Sequence, residues 1–430
     1  MEGSRRMHVI AHHLGANPHH DASYFHKSGL QTAYVADALS YLRLGELFPA
    51  EINEKRMVLR QALEREIAPL LPALYDRAEF PYELLPKLRS LNLTGLSKAA
   101  YGCRQLTNVE KAAYIYELAR VDASLCTFYL LNVSLVSPTI EMLGSETQKA
   151  KYLPKLMTFE SIGCWGLTEA DYGSDASSIE STAEPVPGGF RLNGSKKWIG
   201  NAHFADVMII WARNTQTRQV QGFIVNGKGP GVSVKVIDRK MSLRIVQNGM
   251  ISLKDVFVPE SEVLPGARDF ASGTNAILLA SRVGVAWIPI GIVAGVYEHA
   301  VKYLRERTQF GAPLAAMQLN QEKLSRIMGI FQAIFLQGMR LLQMGGTVTI
   351  GQVSQVKGWN SLMGREACKL GREMLGGNGI LIDFYMAKAM ADMEAVYTYE
   401  GTYDVNALVA GREMTGVAAF KPSYNKAKKP

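Results

Sequence analysis

The spacing of apolar residues along the chain changes twice, and each change predicts a different structural class. From Glu51 to about residue 160 the apolar positions recur at helical intervals. Short apolar runs with glycine and proline between them follow, such as VMIIW at 207–211 and MISLKDVFV at 250–258, and such runs are typical of strands in a small β domain. After about residue 270 a helical stripe returns. The order helical, β, helical predicts an α+β fold.

These changes divide the chain into five segments. We predict a flexible His-rich extension at 1–45, an N-terminal helical domain at 46–160, a middle β domain at 161–270, a C-terminal helical domain at 271–415 and a basic tail at 416–430. Six of the eight histidines lie in the first 26 residues. We therefore expect neither a histidine-based metal centre nor a histidine base in the body of the chain, and no metal site is predicted.

Composition narrows the class of protein further. Of the 430 residues, 47% are hydrophobic and 20% are charged, which is ordinary for a globular protein of two or three domains. The net charge of +8 is scattered, so it suits a polyphosphate ligand better than a nucleic acid. The four cysteines are far apart and form neither a disulfide framework nor a zinc site. The 15 uncharged residues between Arg282 and Glu298 are too few for a membrane span and predict a buried helix.

Five short segments carry residue types that suit binding and acid–base chemistry. They are CWGLTEADYGSD at 164–175, NGSKKWIGN at 193–201, RERTQFGAPLAAMQ at 305–318, EMLGGNGI at 373–380 and YTYEGTYD at 397–404. Each segment taken alone also has a structural explanation, such as a turn or a helix end. Only their combination favours a functional site.

The first four segments offer groups for a large phosphate-bearing ligand. The turn at Gly173 and Ser174 presents amides and a hydroxyl that suit a phosphate. Trp198 could pack on a planar ring, and Arg307 could bind a pyrophosphate through two parallel hydrogen bonds. The glycines of the fourth segment would let the backbone approach a ligand closely.

The fifth segment places Glu400 between Tyr399 and Gly401. A carboxylate beside aromatic side chains loses hydration, so its pKa rises. A raised pKa is what a carboxylate base needs to work near neutral pH, and Gly401 leaves room for a substrate. Glu400 is therefore the predicted base.

In this order and spacing, the five segments resemble those of the acyl-CoA dehydrogenase family, over about residues 50–420. Within it, the phrases KKWIGN, VQNG, QFGAPLAAMQLNQ, LGGNGI and YTYEGTYD resemble the glutaryl-CoA dehydrogenase branch and, most of all, the plant peroxisomal short-chain acyl-CoA oxidases. The resemblance implies the acyl-CoA dehydrogenase fold, with an N-terminal α-helical domain, a middle β-barrel-like domain and a C-terminal four-helix bundle. It also implies FAD, held across a subunit contact of a homodimer or homotetramer.

The resemblance further implies a role for each matching residue, beginning with Glu400 as the catalytic base. The flavin and its ribityl-phosphate arm would contact Trp165, Leu167, Thr168, Ser174, Trp198, Ile199 and Gly200. The rest of the FAD, including that of a neighbouring subunit, would contact Arg307, Phe310, Gln318, Glu373, Gly376, Gly377, Thr402 and Asp404. The substrate would contact Ser174, Arg282 and Gly401.

Two positions depart from the family pattern. Gly200 stands where many of the dehydrogenases have a threonine or serine whose hydroxyl bonds flavin N5, which favours oxidase chemistry. Cys126 stands where glutaryl-CoA dehydrogenases have an arginine for the distal carboxylate of the substrate. An unpaired carboxylate there would be costly to bury, so we expect a straight, uncharged and short acyl chain.

The implied reaction is α,β-dehydrogenation of an acyl-CoA to a trans-2-enoyl-CoA, with oxygen reoxidising the flavin. One alternative is a dehydrogenase that passes electrons to an electron-transferring flavoprotein, and another is a non-catalytic flavin-binding scaffold. We expect neither nucleic acid nor membrane as a partner. The resemblance is compatible with the peroxisome or the mitochondrial matrix, or with the cytoplasm of a bacterium, although no clear targeting signal is visible.

Overall fold

The computed structural model of the protein describes residues 34–419; the histidine cluster and the last part of the basic tail lie outside this range. The first domain consists of seven helices, namely α1 (Ala50–Ala62), α2 (Leu71–Arg77), α3 (Leu85–Ser90), α4 (Asn108–Val121), α5 (Ala123–Leu130), α6 (Ser137–Leu143) and α7 (Glu146–Met157). A π-helical turn, Leu131–Val136, joins α5 to α6. Turns of this kind are frequent at functional sites, and this one lines the cleft described below.

The middle domain is a seven-stranded sheet. Its strands are β1 (Gly163–Gly166), β2 (Thr182–Val186), β3 (Gly189–Gly200), β4 (Val207–Asn214), β5 (Val220–Asn226), β6 (Val232–Val236) and β7 (Asn248–Pro259). The strand order is β1-β4-β2-β3-β7-β6, with β5 along the other edge of β4. Strands β1 and β2 run parallel to β4, and the other pairs are antiparallel.

The C-terminal domain is again helical. It contains α8 (Ala276–Val285), α9 (Ile288–Glu306), α10 (Gln318–Met344), α11 (Ile350–Met374), α12 (Tyr385–Thr398) and α13 (Tyr403–Thr415), with a small hairpin of β8 (Thr308–Gln309) and β9 (Ala312–Pro313) after α9. Helix α9 packs against α10, α11 and α12 within the domain and against α4 of the first domain. The predicted order of helical, β and helical domains is confirmed.

One core joins the two helical domains, and it begins earlier than the sequence pattern predicts. Ala38 and Leu39 are 0% and 2% exposed and pack into this core. The N-terminal helical domain therefore includes residues before 46, and the predicted flexible extension does not reach residue 45. The pattern missed this part because a few buried residues without a helical repeat carry no periodic signal.

Three helical stretches of the described chain are long and apolar enough to cross a membrane, judged by length and composition alone: Ala123–Leu143, Ala271–Glu306 and Gln318–Thr347. Their most apolar windows are 83%, 72% and 44% buried inside the fold. Core packing thus accounts for most of the apolar character of the first two. The apolar run before Glu298 forms the end of α8 and the buried start of α9. It is thus helical and largely buried as predicted, but divided between two helices.

Candidate active site

A cleft of about 260 Å³ lies where the three domains meet. Its walls come from the end of β1 and the following loop, the end of β3, helix α5 with the π-helical turn, helix α8, and the turn between α12 and α13. Of the five sequence segments, three contribute to it. The cleft contains ten of the predicted residues, namely Trp165, Leu167, Thr168, Ser174, Trp198, Ile199, Gly200, Arg282, Glu400 and Gly401.

The β wall of the cleft is formed by the ends of β1 and β3. The pairing of β3 with β7 shifts its register between Lys196 and Ile199, and a bulge of this kind redirects a side chain. Trp198 lies in the bulge with φ of 64° and leaves 53% of its surface exposed beside the cleft. The bulge therefore presents an aromatic face next to the apolar Ile199.

A buried ion pair fastens the two halves of the β wall together. Lys196 Nζ lies 2.7 Å from Glu169 Oε1 and also donates to the carbonyl of Leu167 at 3.2 Å. Glu169 accepts two more hydrogen bonds, from the amides of Glu180 and Ser181. The residues after β1 are thereby fixed against the end of β3.

On the opposite side, Glu400 occupies a tight turn between α12 and α13. Its φ of 55° and the φ of 89° at Gly401 are both left-handed. A Cβ at Gly401 would lie 3.0 Å from Asn406 Nδ2, so glycine is needed there for both space and conformation. For Glu400 the left-handed conformation is unfavourable, and such strain persists only where the surroundings over-determine it.

The surroundings of this turn consist of side-chain donors. Lys357 Nζ donates to the carbonyls of Tyr399 and Gly401, each at 2.7 Å. Arg282 Nε donates to the carbonyl of Glu400 at 3.0 Å, and Asn406 Nδ2 donates to Gly401 and Thr402. Every carbonyl from Tyr399 to Thr402 thus accepts a hydrogen bond from a side chain.

The carboxyl of Glu400 faces the cleft and has a raised pKa. Burial is the cause, and it is partly offset by the nearby Arg282, by a hydrogen bond from Ser281 and by Lys357. Ser281 Oγ donates to Glu400 Oε2 at 3.1 Å. The result is a carboxylate that is oriented by a donor and better suited to accept a proton than a solvated glutamate.

The third wall, from α5 and the π-helical turn, is mostly apolar. A Cβ on Gly200 would lie 2.4 Å from Leu131 Cδ1, so the side chain of Leu131 fills the space that a larger residue at 200 would need. Ser134 Oγ is buried in this wall without a hydrogen-bond partner in the described part of the chain. An apolar slot with free hydroxyls, an aromatic rim and an opposing carboxylate fits a flavin ring with an acyl chain beside it.

The other predicted cofactor residues do not line this cleft. Arg307 and Phe310 are at the exposed end of α9 and its hairpin, where Phe310 is 97% exposed. Thr402 caps α13 by accepting from the amide of Val405 at 3.2 Å, and Asp404 follows in its first turn. The remaining ones surround the end of α11 and the start of α10: Gln318, Glu373, Gly376 and Gly377. Their predicted contacts with FAD of a neighbouring subunit stay predictions.

Sequence reasoning missed Lys357, Ser281 and Leu131. Lys357 had a visible signal, because Val353, Lys357, Asn360 and Gly364 share the buried stripe of α11. A lysine on such a stripe must find acceptors inside the fold. Ser281 and Leu131 had no such signal in the sequence. Ser281 contacts Glu400, which is 119 positions away along the chain, and Leu131 contacts Gly200, which is about 70 positions away.

The three-domain fold and a cleft with one oriented carboxylate are the arrangement that the sequence predicts for a flavin-dependent oxidoreductase. Comparison with known proteins agrees at every domain. Residues 49–160, 164–256 and 272–415 match the N-terminal, middle and C-terminal domains of acyl-CoA dehydrogenase, respectively. An acyl-CoA dehydrogenase of Bacillus subtilis strain 168 is 29% identical over 367 residues, which is 84% of this chain and 97% of that protein.

Solved structures extend the likeness to the whole fold. Glutaryl-CoA dehydrogenase from Mycobacterium smegmatis has a TM-score of 0.86 with 31% identity, covering 90% of this chain and 100% of that one. A glutaryl-CoA dehydrogenase of the same organism in complex with FADH2 has the same TM-score with 29% identity and the same coverage. This chain belongs to the acyl-CoA dehydrogenase family. It is an FAD enzyme, an oxidoreductase that acts on the CH–CH group of acyl-CoA.

Proposed function

We propose that the protein desaturates a straight, short and uncharged acyl-CoA to the trans-2-enoyl-CoA and passes the electrons to molecular oxygen. Glu400 takes the α-proton, and the observation that carries this role is its oriented, partly dehydrated carboxylate in a cleft between three domains. Bound FAD would supply the acceptor for the β-hydrogen, which leaves as a hydride. The acyl-CoA therefore loses one proton and one hydride in total, and oxygen is reduced to hydrogen peroxide.

The turn that carries Glu400 also offers a donor for the thioester. The main-chain N–H of Glu400 makes no hydrogen bond to any of residues 34–419. An α-proton leaves only if the thioester oxygen is stabilised as negative charge develops, and a fixed backbone N–H does this without reorganisation. The carbonyls of the turn are held by side chains, so the direction of this N–H is held as well.

The charge of the cleft supports an uncharged acyl chain. Arg282 and Glu400 are the only charged residues among the described residues that line it, and Arg282 is engaged by the Glu400 carbonyl and Ser354. Cys126 is fully buried, and its thiol contacts the carbonyl of Ile115. Among the described residues, these walls offer a distal carboxylate no cation besides Arg282, whose guanidinium already donates to the turn that carries Glu400. The short chain is proposed from the resemblance to the short-chain oxidases.

Oxygen as acceptor is supported by the environment of Gly200. No hydroxyl is present at this position, and Leu131 occupies the adjacent space, so a threonine or serine could enter only with rearrangement. The second candidate is transfer to an electron-transferring flavoprotein, which is supported by the relatives named above, since these are dehydrogenases.

The experiment is a panel of butyryl-, hexanoyl-, octanoyl- and glutaryl-CoA mixed with the yellow enzyme, first without oxygen and then in air. We expect bleaching of the flavin by butyryl- and hexanoyl-CoA and, in air, one peroxide for each enoyl-CoA formed. Bleaching without peroxide, with turnover restored by an electron-transferring flavoprotein, would establish the second candidate instead. Faster bleaching by glutaryl-CoA than by butyryl-CoA would refute the proposed substrate class.

A further inference from the structure

Lys357 has an unusual position for a lysine. It lies in the middle of α11 with 0% of its surface exposed, about forty residues before the turn that carries Glu400. Its Nζ reaches the carbonyls of Tyr399 and Gly401 at 2.7 Å and that of Tyr397 at 3.5 Å. An ammonium has three N–H donors, so its donors match these three acceptors in number.

The acceptors of Lys357 bracket the catalytic base. Tyr399 and Gly401 are the residues immediately before and after Glu400, and their carbonyls converge on one nitrogen. The Tyr399 carbonyl shares its peptide group with the N–H of Glu400, and the Gly401 carbonyl belongs to the peptide that follows Gly401. The peptide between them is held by Arg282 through the Glu400 carbonyl, so Lys357 fixes the direction of the Glu400 N–H and the far end of the turn that carries the side chain. Since Glu400 itself has a left-handed φ, the turn needs such external contacts to keep its shape.

The charge of Lys357 has no partner other than the base. Within the described chain no carboxylate forms an ion pair with it, and the charged groups that face it are Glu400 and Arg282. Burial lowers the pKa of Lys357 to about 7, and Glu400 opposes this effect. In turn, Lys357 and Arg282 both oppose the raised pKa of Glu400.

We propose that Lys357 is a positioning residue for the reaction: its ammonium holds the peptide before Glu400 and the peptide after Gly401, which aims the base and its own N–H at the substrate. The proposal rests on the proposed function of Glu400. A purely structural role would affect only the stability of the bundle, whereas a positioning role also changes proton abstraction.

The test compares four variants of the full-length FAD-loaded enzyme. Lys357→Met keeps the apolar stem but removes donors and charge, Lys357→Gln keeps a donor without charge, and Lys357→Arg keeps both. Asn360→Leu is the matched control, because Asn360 is a buried polar residue of the same helix whose donors go to the carbonyls of Ala286 and Ile334, away from the Glu400 turn.

The readouts are the rate of flavin bleaching at saturating butyryl-CoA without oxygen, its half-saturating concentration, and its dependence on pH. We expect Lys357→Met to lower the saturating rate at least about tenfold, since small misplacement of a catalytic group is costly, with little change in half-saturation. In the Met and Gln variants, the fall of the bleaching rate at acidic pH should begin at a higher pH, because the ionised form of Glu400 loses a nearby cation. Lys357→Arg should restore much of the saturating rate and of the pH dependence.

Asn360→Leu should lower the temperature of unfolding while leaving the bleaching rate and its pH limb unchanged. If the Met variant has the wild-type bleaching rate and the wild-type pH dependence, the inference is overturned. If the Met variant does not fold, the same two wild-type results in the Gln variant overturn it. Failure of the wild type to bleach with any acyl-CoA would instead overturn the proposed function, so the two failures are distinguishable.

Discussion

Two buried lysines stand behind opposite walls of the cleft, and they differ in what compensates their charge. Lys196, behind the β wall, is paired with Glu169 at 2.7 Å. Lys357, behind the Glu400 turn, meets main-chain carbonyls and no ion-pair partner in the described chain. Burial lowers the pKa of both side chains, to about 8 for Lys196 and about 7 for Lys357.

The difference explains what each wall can do. The charge of Lys196 is cancelled by an adjacent carboxylate, so the β wall is fixed in shape and nearly neutral towards the cleft. That suits a flat, largely apolar ring. The charge of Lys357 is cancelled by no neighbour in the described chain, so it acts on the nearest carboxylate, which is the proposed base Glu400. The helical wall therefore combines fixed geometry with control of a proton.

Removal of the base is the strongest test of this division. Glu400→Gln keeps the shape of the helical wall but cannot accept a proton, so we expect flavin bleaching by acyl-CoA to slow by about 10²–10⁴-fold. The yellow colour should stay, because the β wall is untouched. Rapid-mixing absorbance without oxygen measures both the bleaching rate and the yellow colour.

The control is Glu394→Gln on α12, whose carboxylate pairs with Arg365 at 2.7 Å outside the cleft. Bleaching of the Glu400→Gln enzyme at about a tenth of the wild-type rate or faster would contradict the assignment, since the loss of a general base is expected to cost more than that.

Removal of the paired lysine should have a different effect. In Lys196→Met the carboxylate of Glu169 is left buried without its cation, and breaking a buried pair in this way costs about 3–5 kcal/mol of stability. We expect a lower unfolding temperature and weaker retention of FAD. In the FAD-loaded fraction, the rate of flavin bleaching should depend on pH as it does in the wild type. The double variant with Glu169→Leu should recover part of the stability. A shifted pH limb with normal stability would remove the distinction between the two lysines.

The contact between Gly200 of the β wall and Leu131 of the π-helical turn allows a smaller test. A Cβ at Gly200 would lie 2.4 Å from Leu131 Cδ1, the end of a side chain that borders the cleft. Because that side chain can shift, Gly200→Ala should cost about 1 kcal/mol, the low end of what overpacking typically costs. Leu131→Ala alone opens space, and in that background Gly200→Ala should cost much less. Denaturation of the four proteins measures this coupling. Additive costs would show that Leu131 does not fill the space opposite Gly200.

In both walls, the residues that face the cleft were more predictable from the sequence than the partners that hold them. The helical and β domains, the base at Glu400 and the aromatic Trp198 follow from apolar periodicity and from segments contiguous in sequence. The partners Lys357, Ser281 and Leu131 come from distant segments, and only the folded chain brings them to the turn or to Gly200. Residues 34–45 were assigned to the extension because burial of Ala38 and Leu39 against helices far along the chain leaves no local pattern.

Ser281 provides the finest test of the helical wall. Its hydroxyl donates to Glu400 Oε2 at 3.1 Å and lowers the pKa of that carboxyl against the effect of burial. Ser281→Ala should therefore raise the pKa of Glu400 further. Because the base acts in its ionised form, the acidic limb of flavin bleaching should move to higher pH, with a loss of about threefold to tenfold on that limb. At higher pH, where Glu400 is ionised in both proteins, the rates should converge.

The control is Ser361→Ala, which removes a buried hydroxyl of α11 bonded to the carbonyl of Gly358. This variant should leave the acidic limb of flavin bleaching in place. An acidic limb that stays fixed or moves to lower pH in the Ser281 variant would mean that the helical wall does not control the proton affinity of its base.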